Sequence, residues 1–183
     1  ERSIAARQAT SNAPACPNLS VSGSGGRKVA IAVDTSGSMA STDPMDLRFV
    51  AARTLNDALV SNAEAGADKQ ADLVTIIDFD GSASVIYDLG DPAGAGPSFD
   101  LLDSSGSTDI TDAVVTATTE LTKAGFDPTA DRTGIVVLTD GVDGRTASLV
   151  AALDNATAQG IRVSFGFLPD RASASTDPDV QAA

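Results

Sequence analysis

The stretch VAIAVDTSGSMASTDP, residues 29–44, carries the strongest structural signal in the chain. Five apolar or small residues run straight into an aspartate. Two serines separated by a glycine follow, then a methionine and a turn ending in proline. A short, continuously apolar run suits a strand buried on both faces, as in parallel sheets. Here KVAIAVD (28–34) finishes on a carboxylate followed at once by hydroxyls, all hard oxygen groups.

The same alternation continues along the chain. Residues 1–27 are rich in Ala, Ser, Gly and Pro, end in SGSGGR, and are expected to form an extension or linker. Residues 28–183 make the domain. TDPMDLRFVAARTLNDALVSN (42–62) starts a helix, with Asp43 as N-cap, Pro44 in the first helical position, and Leu47, Ala51, Leu55, Ala58 and Leu59 on one face. ADLVTIIDFD (71–80) is a strand, and ASVIYDLG (83–90) its antiparallel hairpin partner across the Asp80-Gly81 turn. A Gly/Pro/Asp loop leads to a helix over 109–124, with Ile110, Val114, Ala117 and Leu121 in register. GIVVLTDG (134–141) is a further buried strand, residues 146–159 a helix closed by Gly160, and IRVSFGFL (161–168) another strand. The pattern predicts an α/β fold: an open, mostly parallel, doubly wound sheet with helices on both faces and one short antiparallel edge strand. Functional groups in such sheets gather at the carboxyl ends of the strands, where Asp34 and Asp140 both fall.

Composition removes several classes of function. The chain has 183 residues, enough for one domain with a sizeable core, and 42% of them are hydrophobic. No run approaches the ~18 apolar residues of a membrane span, so no membrane insertion is expected. A net charge of −13 argues against nucleic acid and against an anionic membrane surface, and is compatible with cation binding. The absence of histidine removes His-based triads, His general bases and most zinc sites. Cys16 is the only cysteine, so it either stands idle or pairs with a cysteine outside this chain.

Three loops supply one donor set. Asp34, Ser36 and Ser38 leave the first strand, Thr108 lies in SSGSTDITDAV (104–114), and Asp140 ends IVVLTD (135–140). The first three alone make a polar strand-to-helix turn. Joined by the other two, they offer two carboxylates and three hydroxyls, hard ligands suited to Mg²⁺, Mn²⁺ or Ca²⁺ and poor for zinc or copper. Asp-x-Ser-x-Ser after a buried strand, a Gly-Ser-Thr-Asp loop, and Thr-Asp-Gly after a later strand together resemble the von Willebrand factor A domain and its metal-ion-dependent adhesion site. The likeness covers residues 28–183. It implies a Rossmann-like fold, one divalent cation (Mg²⁺ first, Mn²⁺ or Ca²⁺ next) on Asp34, Ser36, Ser38, Thr108 and Asp140, and a protein ligand offering an Asp or Glu carboxylate. An extracellular or cell-surface adhesion role follows from it. The alternative is an intracellular assembly subunit of a chelatase-like or ATPase-linked complex.

Other residues have two readings. Met39, Asp109 and Asp143 could rim the partner-binding face. Their plainer roles are packing for Met39, the helix N-terminus for Asp109 together with Asp112, and a solvated loop for Asp143. Asp78 and Asp80 are expected to serve a turn. Catalysis is not expected. Phosphatases that form an aspartyl-phosphate resemble Asp-x-Asp, whereas Ser36 stands second here, and VDTSGS lacks the first glycine of a nucleophile elbow.

STDP occurs at 41–44 and again at 175–178. The second copy has helix-start signals, and the resemblance implies a sixth strand beyond it, so the domain is expected to be C-terminally incomplete. Residues 161–168 would then be a sheet edge that takes a strand from another polypeptide, a cleaved part of the same precursor or a second copy. The plainer alternative is a sheet that ends at five strands.

Overall fold

β1 (Lys28–Asp34) lies at the centre of the sheet because both of its faces are apolar, and it is buried from Ala30 to Asp34. A computed structural model describes residues 26–67, 70–123, 128, 132–141 and 145–168. The other strands are β2 (Leu73–Phe79), β3 (Ala83–Gly90), β4 (Thr133–Thr139) and β5 (Arg162–Phe167). Their order is β3-β2-β1-β4-β5, parallel throughout except for β3, which runs antiparallel to β2 as the Asp80-Gly81 turn predicts. The helices are α1 (Met39–Thr42), α2 (Leu47–Asp57), α3 (Asn62–Ala65), α4 (Ile110–Leu121) and α5 (Thr146–Ala158), and two 3₁₀ turns cover Pro92–Gly94 and Gly96–Leu101. This is the Rossmann-like, open α/β architecture expected from the alternating pattern. Among the described residues no helix is long and apolar enough to cross a membrane.

The strand period of two splits the core into two layers. Ala30, Ala32, Ile77, Phe79, Ile135 and Val137 face α4 and α5, whose Ile110, Val114, Ala117, Leu121, Ala152 and Ala156 complete that layer. Ile31, Val33, Val74, Ile76 and Leu138 face the opposite side, where Ala52 and Leu59 join Ala95 and Phe99 of the 3₁₀ segment. The α4 stripe is the one predicted. Gly160, with φ 76°, closes α5 as expected.

α2 departs from the prediction in start and face. It begins at Leu47, so Pro44 lies in the preceding turn and not in the helix. Asp43 still caps, but from further upstream: its carboxylate accepts from the amides of Leu47 (2.8 Å) and Arg48 (3.0 Å). The buried stripe is Arg48, Ala52 and Asn56, while Leu47 and Leu55 are 49% and 37% exposed. The physical reason is Arg48, whose guanidinium is drawn inward by buried oxygen acceptors and turns the helix by about one residue.

The amino end of β1 is fastened separately. Gly26 N donates to Ala71 O at 3.1 Å, so Gly26 and Arg27 belong to the fold and not to the extension. Asp72, fully buried, accepts from Arg27 N (2.8 Å), Arg27 Nε (3.1 Å) and Val60 N (2.8 Å) and pairs with the Arg27 guanidinium at 2.6 Å. Burial pulls the Asp72 carboxyl upward, but the hydrogen bonds from Arg27 and Val60 outweigh it and hold the group below its ordinary range. β5 is the outer strand of the described sheet, as expected, and Ile161 is buried beneath it. The second STDP copy lies outside the described residues.

Two outcomes follow. A carboxyl with a lowered folded pKa contributes stability that is full above its unfolded pKa, about 4, and is lost as pH falls toward the folded value. Asp72→Asn should therefore cost about 2 kcal/mol at pH 7, the scale of a charge-assisted hydrogen bond, with the gap to wild type narrowing by pH 3 in urea unfolding. In hydrogen exchange of the isolated chain, alternate amides of 162–167, those facing away from β4, should exchange fast. Protection along the whole strand would instead signal an added strand.

Candidate metal centre

Register brings the site together before any side chain is considered. Val33 pairs with Leu138 across β1 and β4, so Asp34 and Thr139 end side by side, while Asp34 pairs with Phe79 on the other flank. The loop after β1 is sewn to its neighbours through main chain: Thr35 N donates to Phe79 O (2.8 Å), Gly37 N to Gly106 O (3.0 Å) and Ser105 N to Thr35 O (2.7 Å). Asp109 N donates to Asp80 O at 2.7 Å, fastening the loop that carries Thr108 to the β2–β3 hairpin. Gly106 has φ +81°, and a Cβ there would run into the Asp80 carboxylate, so this crossing requires glycine.

Four residues of the predicted donor set, Asp34, Ser36, Ser38 and Asp140, meet at the ends of β1 and β4, and the fifth, Thr108, stands beside Gly141. Asp34 is fully buried; its Oδ1 accepts from Ser36 N at 2.8 Å and its Oδ2 from the Thr139 hydroxyl. Ser36 Oγ and Ser38 Oγ are 3.1 Å apart, and Ser38 Oγ donates to Asp140 Oδ1 at 3.1 Å. The Thr42 hydroxyl donates to the other Asp140 oxygen. Thr108 stands against the residue after Asp140: a Cβ on Gly141 would lie 3.1 Å from Thr108 Cγ2 and 3.4 Å from its Oγ1.

The electrostatics are unbalanced. Burial pushes the Asp34 carboxyl above its usual range; hydrogen bonds from Ser36 and Thr139 oppose this, and the nearby Asp140 charge adds to it. No Lys or Arg of the described residues pairs with either carboxylate. The nearest guanidinium contact goes to main chain, with Arg48 Nε donating to Asp34 O at 2.8 Å. No group of three or more His, Cys, Asp or Glu among the described residues is arranged to hold a metal. A metal here would have to be held by two carboxylates and three hydroxyls. That donor chemistry, with negative charge that no Lys or Arg of the described residues offsets, fits a hard divalent ion.

For Met39 and Asp109 the plainer of the two readings holds, and the turn role expected of Asp78 is corrected. Met39 is 0% exposed and packs beneath the loop, so it cannot rim a partner surface; the apolar side chain is drawn into the core that α1 covers. The Asp109 carboxylate is already engaged, capping α4 through Asp112 N at 3.0 Å and pairing with Arg145. Asp80 serves the turn, accepting from Ser82 N at 3.1 Å, but Asp78 does not. It takes the Thr35 hydroxyl at 2.5 Å, and burial, with the charges of Asp103, Asp80 and Asp34, raises its pKa. Asp143 lies outside the described residues. Sequence reasoning also missed Thr139, Thr42, Thr35 and Arg48. Thr139 was recoverable from the strand period, since it precedes Asp140 at the same strand end.

The fold is an open α/β domain whose sheet rim carries a cluster of carboxylate and hydroxyl oxygens. The family model of the von Willebrand factor type A domain matches residues 29–142, more than half the chain, and the protein belongs to that family of protein-interaction modules. No curated protein matches. Among solved structures, the chain is similar to an aerotolerance-related membrane protein from Bacteroides fragilis carrying multiple mutations to serines (27% identity, TM-score 0.57, 83% of this chain and 75% of that one). It is also similar to the conserved hypothetical protein BatB from Bacteroides thetaiotaomicron (24%, 0.55, 83% and 74%). Proximal thread matrix protein 1 from the mussel byssus, whose adhesion-site motif is occupied by zinc, shares the fold (17%, 0.62, 78% and 35%).

The raised pKa of Asp34 has a stability consequence. The folded chain holds that proton more tightly than the unfolded chain, so above the folded pKa the ionised carboxylate weakens the metal-free fold. Asp34→Asn should raise the melting temperature at pH 7 in EDTA, and the gain should shrink as pH falls through the folded pKa. A variant less stable than wild type under those conditions would contradict this electrostatic account.

Proposed function

We propose that this chain is a divalent-metal-dependent protein-binding module whose ion bridges to an acidic residue of its partner. The observation that carries the proposal is the meeting of Asp34, Ser36, Ser38 and Asp140 at one sheet rim with Thr108 beside it, around a buried carboxylate that pairs with no Lys or Arg among the described residues. When bound, the ion supplies an open coordination position for a partner's Asp or Glu. The hydroxyls of Ser36, Ser38 and Thr108 hold it without adding negative charge, so positive character remains for that carboxylate. Asp34 and Asp140 hold it directly or through water. Losing one member of such a buried charged contact costs on the order of 2–5 kcal/mol.

Mg²⁺ is the first candidate ion and Mn²⁺ or Ca²⁺ the next. The zinc in the mussel protein's motif supports a divalent cation in general and adds Zn²⁺ to the ions to be titrated. The proposal gives the site no catalytic role, because the chain contains no histidine to serve as base. It places the domain outside the cell or at its surface. An intracellular assembly subunit would use the same oxygens, so the identity of the captured partner separates the two.

Calorimetry should give one ion per chain, with binding abolished in Asp34→Ala. Capture of a protein partner should be lost in EDTA and restored by the divalent ion. Thr108→Ala should weaken capture roughly tenfold while changing metal affinity less, as expected for one charged hydrogen bond lost at the ligand-engaged site. A partner complex that survives EDTA unchanged would overturn the metal bridge.

A further inference from the structure

We propose that Arg48 is the positioning residue of the metal centre, fixing the end of β1, the turn after α1 and the loop that carries Thr108 in one geometry. This rests on the metal-site reading above and concerns side chains outside the donor set.

Arg48 is 0% exposed, although arginine is rarely buried without full hydrogen bonding. Its donors reach three segments. Nε donates to the main-chain oxygen of Asp34 at 2.8 Å. One terminal nitrogen donates to Asp43 Oδ2 and to Asp46 Oδ1, both at 3.0 Å. The other donates to Ser104 Oγ at 2.7 Å. The guanidinium also lies over the Phe49 ring, 4.0 Å from its centroid.

Each acceptor is itself placed with some effort. Asp43 is nearly fully buried and caps α2 with the same carboxylate. Asp46 has φ 53°, the one positive φ outside glycine among the described residues, and that left-handed turn is where its carboxylate meets Arg48. Ser104 stands one residue before Ser105, whose amide binds Thr35 O, and four before Thr108. The fork therefore touches none of the five donor side chains, yet holds the backbone on which Asp34 and Thr108 are mounted. A lysine offers one flexible point charge and cannot reproduce a planar fork across four acceptors in three segments.

The test uses Mn²⁺ alone as probe and two variants. Ser104→Ala removes one acceptor at the loop end and should leave the fold intact. In the metal-free protein, its Ser105 and Gly37 amides should exchange roughly tenfold faster, since both bonds depend on that loop's position. With Mn²⁺ bound, paramagnetic broadening should persist at the Ser36 and Ser38 amides and weaken at Thr108. Arg48→Lys should show both effects and lose roughly tenfold in Mn²⁺ affinity, because restoring charge without the fork does not restore geometry. Wild-type exchange at Ser105 and Gly37 and unchanged broadening at Thr108 in a folded Ser104→Ala would overturn the proposal, as would full rescue of affinity by lysine. Should Arg48→Lys fail to fold, Ser104→Ala decides. Should wild type bind no Mn²⁺, the metal reading fails, and the metal-free exchange still decides whether Arg48 sets the loops.

Discussion

A carboxylate taken out of water carries a penalty of several kcal/mol unless charge or hydrogen bonds replace its hydration. Asp34 is such a carboxylate, at the end of the central strand of the sheet. Among the described residues it receives an amide from Ser36 and a hydroxyl from Thr139 and pairs with no Lys or Arg. Among the described residues, the Arg48 guanidinium donates to its carbonyl oxygen and not to its carboxylate. A strand that could have ended on a neutral residue instead ends on a charge left partly uncompensated. On the proposed reading, a bound cation supplies the missing compensation.

The two ends of β1 handle charge in opposite ways. At the amino end, Asp72 meets Arg27 and the amide of Val60 and titrates below its ordinary range. At the carboxyl end, Asp34 and Asp78 are desolvated among other acids and titrate above theirs. One end is a satisfied clasp that contributes stability. The other stores electrostatic strain on a rigid frame, held by main-chain bonds from Thr35, Gly37 and Ser105. Strain of this kind persists only where surrounding structure over-determines it, and it is characteristic of functional sites.

What the sequence disclosed depended on whether a signal was local. The buried runs of β1, β2 and β4, the Asp80-Gly81 hairpin and the α4 stripe are periodic patterns within single elements, and all were legible. The places of Asp34 and Asp140 at strand ends were legible too from the α/β alternation, whereas grouping them with Ser36, Ser38 and Thr108 as one donor set came from the resemblance to the family's motif. Arg48 was not: it sits in an apolar stretch where the leucines suggest a face, and only acceptors distant in sequence explain its burial. Asp78 and Thr35 meet across 43 residues, a pairing no local pattern contains. Met39 misled in the other direction, since adjacency to the motif in sequence places it beneath the loop in space and not on its rim.

A chain of net charge −13 is an unpromising receptor for an acidic residue, and the donor set answers that difficulty. Repulsion between exposed charges is largely screened beyond about 8 Å at physiological ionic strength, so the global charge governs approach more than the bound state. At contact only the local field matters. Four or five carboxylates would overcompensate a divalent ion and repel another acid, whereas two match its formal charge only when both bind it directly and leave it positive when one is reached through water. With two carboxylates and three hydroxyls, the neutral ligands fill coordination positions without consuming charge. Arg48 matters here as well, because its charge is matched by Asp43 and Asp46 on the far side of the Asp34 carbonyl. The positive character of the site is thereby left to the ion. On the proposed reading, binding of an acidic partner then follows the ion's presence and not the protein's own charge.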